Sequence, residues 1–151
     1  MNSPIGPLTL ASTDKGLAYV HFGSDIPSDG TRDESANHEV IGQLTEYFEG
    51  KRTQFDISLD LQGTPFQLAV WKELQKIPYG ATCSYGDIAR SLGKPGAARA
   101  VGMANHENPI AVVVPCHRVV GSDGSLTGYA GGLHLKQKLL GIEKQSQLLF
   151  T

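Results

Sequence analysis

The sequence predicts an α+β protein: a small N-terminal lobe of a hairpin, a helix and a strand, followed by a mainly helical, winged-helix-like domain with a helix-turn-helix. Two observations predict this fold class, and a third shows that the two parts face different electrostatic tasks. Apolar and polar residues alternate in parts of the first 62 residues, as they do in half-buried strands. Helix-capping signals recur in residues 63–151. The formal net charge changes at the same point, from −6 before it to +4 after it.

The N-terminal lobe begins with a predicted β-hairpin. Residues 8–10 (LTL) alternate, residues 13–16 (TDKG) favour a turn, and the largely apolar residues 17–22 supply the second strand. Residues 23–34 contain two glycines, a proline and four acids, so we expect a solvated loop there.

A helix and a strand complete the predicted lobe. Four large residues recur at helical spacing before Gly50, which ends the helix: Ile41, Leu44, Tyr47 and Phe48. Apolar and polar side chains alternate from Phe55 to Leu61, which is typical of a half-buried strand. We place a junction at residues 62–63, which gives an N-terminal lobe of residues 1–62 and a C-terminal domain of residues 63–151.

Two capping boxes mark helix starts in the C-terminal domain. Residues 64–67 (TPFQ) combine an N-cap threonine, a proline at the first helical position and a closing glutamine. This helix is predicted to continue until Pro78 and Gly80 end it. Residues 84–87 (SYGD) repeat the capping pattern and begin a short helix that Gly93 closes.

A second short helix is predicted over residues 97–105, which are mostly small. Together with the helix before it and the glycine-containing turn between them, it forms a helix-turn-helix candidate. Residues 110–114 predict a buried extended run, and residues 121–132 a glycine-rich loop. The last predicted helix has three leucines on one face: Leu135, Leu139 and Leu140.

The composition excludes several classes of protein. Hydrophobic residues make up 40% of the chain and charged residues 19%, with a formal net charge of −2. These totals argue against a disordered tail, a coiled coil and a strongly basic nucleic-acid binder. No stretch approaches the roughly 18 apolar residues that span a bilayer, and the start lacks a signal-peptide pattern. We therefore expect a cytoplasmic protein with no membrane partner.

The cysteines and histidines predict no metal site and no cofactor. Cys83 and Cys116 lie far apart without a C-x-x-C pattern, which argues against a disulfide framework and a thiolate metal site. Four histidines have no recognisable metal spacing: His21, His38, His106 and His134. This pattern leaves open that one of the cysteines is a reduced, reactive thiol.

Cys116 is the first candidate for chemistry, because it follows a β-branched run and a proline and is adjacent to His117. A catalytic thiol must become a thiolate, whose pKa falls near a base or a cation such as His117 or Arg118. Neighbours on an extended chain point to opposite sides, so direct contact between Cys116 and His117 requires a turn or a bridging water. The competing interpretation is a small buried cysteine behind a core strand.

Arg99 is the second candidate, a long cation in a helix of alanines and glycines. Small neighbours let a backbone approach DNA closely while one side chain probes a groove. Helix packing explains the small residues equally well. Tyr85 fits a surface aromatic or a DNA contact, and Lys136 and Glu143 fit solvated helix residues.

In combination, four segments resemble the O6-alkylguanine-DNA alkyltransferase family: residues 99–102 (RAVG), 108–109 (NP), 115–119 (PCHRV) and 128–132 (GYAGG). The resemblance covers nearly all of residues 64–151, and the PCHRV segment is highly specific. It implies direct reversal of DNA damage. The enzyme transfers a methyl or larger group from O6 of guanine to its own cysteine, irreversibly and once per molecule; activity on O4 of thymine stays open.

The resemblance implies roles for individual residues in the chemistry. Cys116 matches the acceptor, His117 the base that deprotonates it through a water, and Glu143 the carboxylate that orients the histidine. Asn108 matches the residue that braces the turn holding this network. Tyr85 matches the hydroxyl that protonates the departing guanine.

The resemblance also implies how substrate is bound. The target nucleotide must be flipped out of the duplex, and Arg99, with Ala98 beside it on a recognition helix in the minor groove, fills the vacated space. Four further residues match the family's base and alkyl pocket: Val119, Tyr129, Ala130 and Lys136. The implied partner is double-stranded DNA containing O6-alkylguanine, bound by a monomer.

The sequence departs from the family at three points. Ala130 stands where many relatives have serine, which loses a hydroxyl but keeps the backbone amide. Ala111 stands where some relatives have a pocket proline, which leaves more room for groups such as benzyl. The N-terminal lobe also lacks the cysteines and histidines that hold a structural zinc in certain relatives.

Two other functions stay open. An alkyltransferase-like protein recognises the lesion without removing it, but such proteins lack the acceptor cysteine. An unrelated cysteine hydrolase would use Cys116 and His117 without DNA, and the helix-turn-helix argues against it. Every residue assigned to DNA or chemistry lies in the +4 half, so we expect the acidic lobe to face away from the phosphates.

Overall fold

The structure is a computed structural model that describes residues 1–24, 37–126, 128–129 and 131–150, with the backbone only for residues 147–150. A strand hairpin comes first and five α-helices make up most of the rest, with two short strands among them, which agrees with the predicted α+β class. Most of the predicted loop at residues 23–34 lies outside the described residues, and so does Ala130.

The predicted hairpin is confirmed. Strands β1 (Leu8–Thr13) and β2 (Gly16–Phe22) pair antiparallel, with an irregularity in the register between Ala11 and Ser12. Gly16 has a φ of +145°, and a Cβ on it would lie 2.3 Å from the Ser58 carbonyl oxygen. Only glycine therefore allows the turn to pack against this neighbouring segment.

The first helix is also confirmed, as α1 (His38–Phe48). Val40, Leu44 and Tyr47 share its buried face, in agreement with the helical spacing of large residues. The Gly50 amide donates to the Tyr47 carbonyl at 3.0 Å, and Gly50 itself has a φ of +75°. This is the usual way for a glycine to end a helix.

The predicted strand at residues 55–61 is wrong in extent. Its apolar residues do pack against the core, but the segment joins β2 through one parallel bridge, between Leu17 and Leu59. Farther along, β2 pairs instead with a later segment, through Val20 and Ile110. The segments that contain Leu59 and Ile110 thus share the free edge of β2, and each forms a single bridge instead of a ladder.

Both capping boxes are confirmed in the C-terminal domain. The chain forms α2 (Pro65–Leu74), β3 (Cys83–Ser84), α3 (Tyr85–Ser91) and α4 (Ala98–His106). Thr64 and Gln67 cap α2 reciprocally, and Ser84 and Asp87 cap α3 in the same way. Helix α2 ends at Leu74, earlier than predicted, and the chain continues in tighter turns, in which the Ile77 amide donates to the Leu74 carbonyl at 3.1 Å.

Helices α3 and α4, with a turn between them, form the predicted helix-turn-helix, and α2 packs against both. The Trp71 indole on α2 donates to the Ala104 carbonyl on α4 at 2.8 Å, which joins these helices inside the core. Val101 and Ala104 are buried, whereas Arg99 and Met103 face outward.

The predicted extended run at residues 110–114 is wrong. Only Ile110 pairs with a strand, and the chain then turns so tightly that the Val114 amide reaches the Ile110 carbonyl at 3.0 Å. Val112 adopts a φ of +71°, which is strained for a β-branched residue. Asn108 holds both ends of the turn, because its side chain binds the Ile110 amide and the Val114 carbonyl.

The remaining elements follow this turn. Residues Cys116–Arg118 form a 3₁₀ turn that leads into β4 (Val119–Val120), which pairs in parallel with β3. The final helix, α5 (Leu133–Phe150), buries Leu139 completely. A single hydrophobic cluster includes residues of both predicted domains, such as Leu44 and Val70. In the part of the chain described, no helix is long and apolar enough to cross a membrane.

Candidate active site

Cys116 lies in the 3₁₀ turn, at the edge of a partly enclosed cavity of about 70 Å³. Only 5% of the residue is exposed. The cavity also has walls from β2, α4 and the loop before α5, among them Phe22, Asn105 and Tyr129. The cysteine thus lies where both predicted domains meet.

His117 points away from this cavity edge into the protein and binds Glu143 on α5. The distance from its Nε2 to Glu143 Oε2 is 2.6 Å, and both side chains are fully buried. An ionised carboxylate only accepts, so Nε2 carries the proton and donates it. His117 Nδ1 is then an acceptor; it is buried and has no hydrogen-bond partner among the described residues.

Arg118 also binds Glu143 instead of facing the thiol. Its Nε lies 2.9 Å from Oε1 and its Nη2 3.0 Å from Oε2, a two-pronged contact that suits a guanidinium and a carboxylate. Its Nη1 donates to the Ile77 carbonyl at 2.8 Å. The role that the sequence leaves open for Arg118, lowering the pKa of Cys116 directly, does not match this geometry.

Tyr47 is a partner of Glu143 that the sequence did not indicate. Its hydroxyl donates to Glu143 Oε2 at 2.6 Å, and the Gly80 amide donates to Oε1 at 3.0 Å. Tyr47 belongs to the acidic lobe, so the expectation that the site lies wholly in the +4 half is wrong. The sequence did contain a signal for such a contact, because a tyrosine on a buried helix face needs a hydrogen-bond partner for its hydroxyl.

The charges of this cluster follow from its contacts. Burial would raise the pKa of Glu143, but the hydrogen bonds and charges of His117 and Arg118 outweigh it and hold the pKa at about 2. Burial lowers the pKa of His117, against the opposing effect of Glu143. The cluster is therefore an ionised carboxylate beside a neutral imidazole at neutral pH.

Burial raises the pKa of Cys116 above its usual value. Asn108, the Lys136 charge and Tyr129 act in the opposite direction without cancelling the rise. The thiol is therefore protonated at neutral pH and needs a base before it can act as a nucleophile.

Three further residues predicted for the pocket are buried: Lys136, Tyr129 and Val119. Lys136 on α5 is buried, with its Nζ 5.9 Å from the centre of the Tyr85 ring. Tyr129 is buried against Phe22, with the ring centres 5.6 Å apart. Val119 is buried in β4. The interpretation of Lys136 and Glu143 as solvated residues, taken from the residues alone, is wrong.

Arg99 lies apart from this cluster, on the outer face of α4. It is exposed, and Ala98 beside it is half-buried. Neither residue lines the cavity next to Cys116. The outer face of α4 is therefore a surface free for a partner, and the Cys116 cavity lies behind it. The residues that the structure describes contain no group of three or more His, Cys, Asp or Glu side chains placed to hold a metal ion.

Two family models match the chain in succession. The ribonuclease-like domain of 6-O-methylguanine DNA methyltransferase matches residues 1–61, and the DNA binding domain of the same protein matches residues 65–145. Among individual proteins, the methylated-DNA–protein-cysteine methyltransferase of Methanosarcina barkeri is 50% identical over 97% of this chain and 96% of its own length. That of Mycobacterium tuberculosis is 53% identical over 95% of this chain and 90% of its own.

Solved structures give the same result. The crystal structure of Mycobacterium tuberculosis OGT in complex with DNA superposes with a TM-score of 0.93, at 52% identity, over 97% of this chain and 91% of that one. An O6-methylguanine DNA methyltransferase from Methanococcus jannaschii superposes with a TM-score of 0.68 at 28% identity, over 91% of this chain and 87% of that one.

Proposed function

The chain belongs to the 6-O-methylguanine DNA methyltransferase family, and from this premise we propose the residues and steps through which it acts. It is a DNA-binding enzyme that reverses alkylation damage directly, by transferring the alkyl group to a cysteine of its own. Cys116 is the proposed acceptor. The observation that carries this proposal is the buried thiol at a cavity edge, followed in the chain by His117, which is paired with Glu143.

The acceptor step is a displacement at the alkyl carbon. The Cys116 sulfur forms a bond to that carbon while the bond from the carbon to guanine O6 breaks. His117 Nδ1 has no hydrogen-bond partner among the described residues, the Cys116 thiol included, so it takes the thiol proton through a water. Glu143 holds the imidazole in the required tautomer and stabilises its cationic form.

The leaving guanine must gain a proton to depart as the neutral base. Tyr85 is the proposed donor, at the first position of α3 and next to the Lys136 ammonium. The thiol proton held by His117 then replaces the one that Tyr85 donated, by way of solvent, so thiol and alkylated guanine become thioether and guanine. Nothing in this sequence of steps regenerates the thiol, so each molecule acts once.

The duplex is bound through the outer face of α4 in the minor groove. The small residues around Arg99, including Ala98, permit a close approach of the backbone. Arg99 fills the space that the flipped nucleotide leaves, and backbone groups of Val119 and Cys116 read the edge of the base. The substrate is double-stranded DNA with O6-alkylguanine, bound by a monomeric protein in the cytoplasm.

The pocket accepts alkyl groups larger than methyl. Tyr129 and Ala111 line the cavity next to Cys116, and alanine at position 111 leaves more room than a proline ring. The Ala130 amide and Lys136 complete the proposed substrate contacts. We assign the reacting and DNA-contacting residues to 63–151, and residues 1–62 support them, in part through the hydrogen bond from Tyr47 to Glu143.

The test is alkyl transfer followed by intact mass. The protein is incubated with O6-benzylguanine or with a duplex that contains O6-methylguanine, and Cys116→Ala is the control. We expect one alkyl adduct, mapped to Cys116 and limited to one per molecule. Lesion binding without an adduct would indicate an alkyltransferase-like protein, and continuous turnover a hydrolase; either result would contradict the proposal.

A further inference from the structure

Asn105 combines burial with an unused hydrogen-bond acceptor. It lies on the inner face of α4, with 2% of the residue exposed. Its Nδ2 donates to the Cys116 carbonyl at 3.3 Å, which fixes the orientation of the amide. Its Oδ1 is buried and has no hydrogen-bond partner among the described residues.

A buried acceptor without a donor is costly, so such an atom indicates a group that binds there. Asn105 lines the same cavity as Cys116, and most of the other walls are apolar, including Val20, Phe22 and Ala111. Roughly 10–15 Å³ is enough to hold a water, and the cavity has about 70 Å³. It therefore has room for an alkyl group of several heavy atoms beside the sulfur.

We propose that Asn105 determines specificity for the alkyl group, and that it favours O6-alkyl groups with a hydroxyl on the carbon next to the one transferred. The simplest such group is 2-hydroxyethyl. This inference rests on the proposed function, because it assumes that Cys116 is the acceptor.

The geometry supplies the reason for this position of the hydroxyl. The Asn105 Nδ2 binds the Cys116 carbonyl oxygen at 3.3 Å and both residues line the same cavity, so we infer that Oδ1 lies at the same end of the cavity as the reacting sulfur. The transferred carbon must approach the sulfur, and a hydroxyl one carbon farther out then reaches Oδ1. During transfer this hydroxyl moves with its carbon and keeps its proton. The sulfur–carbon bond forms and the carbon–O6 bond breaks, as for methyl.

The experiment compares two substrates that differ only at this point. O6-(2-hydroxyethyl)guanine and O6-propylguanine have the same number of heavy atoms and are placed in the same duplex. The rate of adduct formation on Cys116 is measured by intact mass for each, with O6-methylguanine as the reference. Their rate ratio with a small thiolate in solution gives the intrinsic preference.

We expect the protein to favour the hydroxyethyl group over propyl by about tenfold relative to the small thiolate, because only the hydroxyl pairs with Oδ1. Asn105→Met should abolish this preference. The ratio is taken within one sample, so a partly unfolded variant does not distort it. Leu68→Met on α2 is the control, since Leu68 is 37% exposed and does not line the cavity; its ratio should equal that of the unaltered protein.

Two results would overturn the inference: a ratio in the unaltered protein equal to that of the small thiolate, or an unchanged ratio in Asn105→Met. In both cases a methyl adduct on Cys116 would leave the proposed function standing. If the unaltered protein forms no adduct even with O6-methylguanine, the proposed function fails, and this inference fails with it.

Discussion

Glu143 receives hydrogen bonds from four residues: Tyr47, Gly80, His117 and Arg118. So many donors make the carboxylate a weak base, which agrees with its pKa of about 2. It therefore stays ionised when His117 gains a proton, and its proposed function is to orient and stabilise the imidazole. The proton is not passed on to Glu143.

The pH dependence of alkyl transfer follows from these charges. We expect the rate to be nearly constant between about pH 7 and 8, where His117 is neutral and the thiol protonated. The rate should fall as the pH drops through the pKa of His117, which burial places below its usual value of about 6.5. Single-turnover kinetics over this range provide the measurement. A thiolate formed without a base would instead make the rate rise about tenfold per pH unit up to the raised pKa of Cys116.

Individual residues show what a sequence can and cannot reveal about this site. Cys116 and His117 are identifiable because their segment is specific, and Glu143 because a family resemblance marks it. The partners Tyr47 and Arg118 are not, and the role that the sequence suggests for Arg118 is wrong. Their contacts with Glu143 join residues 96 and 25 positions apart, and only the folded chain brings such residues together.

At the level of elements, local signals are reliable where they act within a few residues. Both capping boxes are present because the N-cap and its partner lie three residues apart. The prediction for residues 110–114 fails because β-branched residues favour strands, whereas Asn108 bends the chain through its own side chain. A side-chain hydrogen bond overrides the local preference there.

Alanine substitutions at two glycines, one inside α1 and one just after it, should change the free energy of unfolding in opposite directions. Gly42 lies in the exposed interior of the helix, and a Cβ on it would meet nothing within 4 Å. Gly42→Ala should raise the free energy of unfolding by about 0.5–1 kcal/mol. Gly50→Ala should lower it by about 1 kcal/mol or more, because Gly50 has a φ of +75° and a Cβ would lie 2.6 Å from Ser146 Oγ. Urea denaturation measures both changes in the free energy of unfolding. Changes of the same sign in the two variants would contradict the roles given to these glycines.

The recognition helix makes a prediction about DNA. Arg99→Ala should slow repair in duplex DNA by about tenfold or more, because nothing fills the space of the flipped nucleotide. Its reaction with free O6-benzylguanine should be nearly unchanged. The matched control is Arg90→Ala, an exposed arginine on α3 that pairs with Asp87. Equal losses on both substrates would argue against a role of Arg99 in flipping.

At the scale of the whole molecule, the charge boundary at residues 62–63 does not separate two independent units. The Val20 amide donates to the Pro109 carbonyl at 2.9 Å, and the Ala111 amide to the Val20 carbonyl at 3.2 Å. β2 of the acidic lobe therefore supports the turn before Cys116. Charge and periodicity indicate a boundary in the chain but carry no information about contacts across it.

Tyr47→Phe tests the contact between the lobes. Without this donor, Glu143 Oε2 attracts the His117 proton more strongly, which raises the pKa of His117 and moves the acid limb of the pH–rate profile to higher pH. We expect a loss of about 1 kcal/mol in the free energy of unfolding as well. The matched control is Gln43→Met, one turn earlier on α1, whose side chain hydrogen-bonds the Asp56 backbone and the Glu39 carboxylate and makes no contact with Glu143. It should destabilise the protein without moving the profile. A Tyr47→Phe profile that superimposes on that of the unaltered protein would show that Tyr47 is only structural.

The hydrogen bond from Tyr47 also limits how freely the lobes can be recombined. A chimaera that takes its first 62 residues from a relative inherits that relative's donor to Glu143, or lacks one. Only relatives with a hydroxyl at the same point of the first helix can exchange this lobe without altering the basicity of the histidine. In the proposed mechanism the N-terminal lobe therefore contributes to the reaction, and it can be exchanged without effect only if the hydroxyl that binds Glu143 is kept.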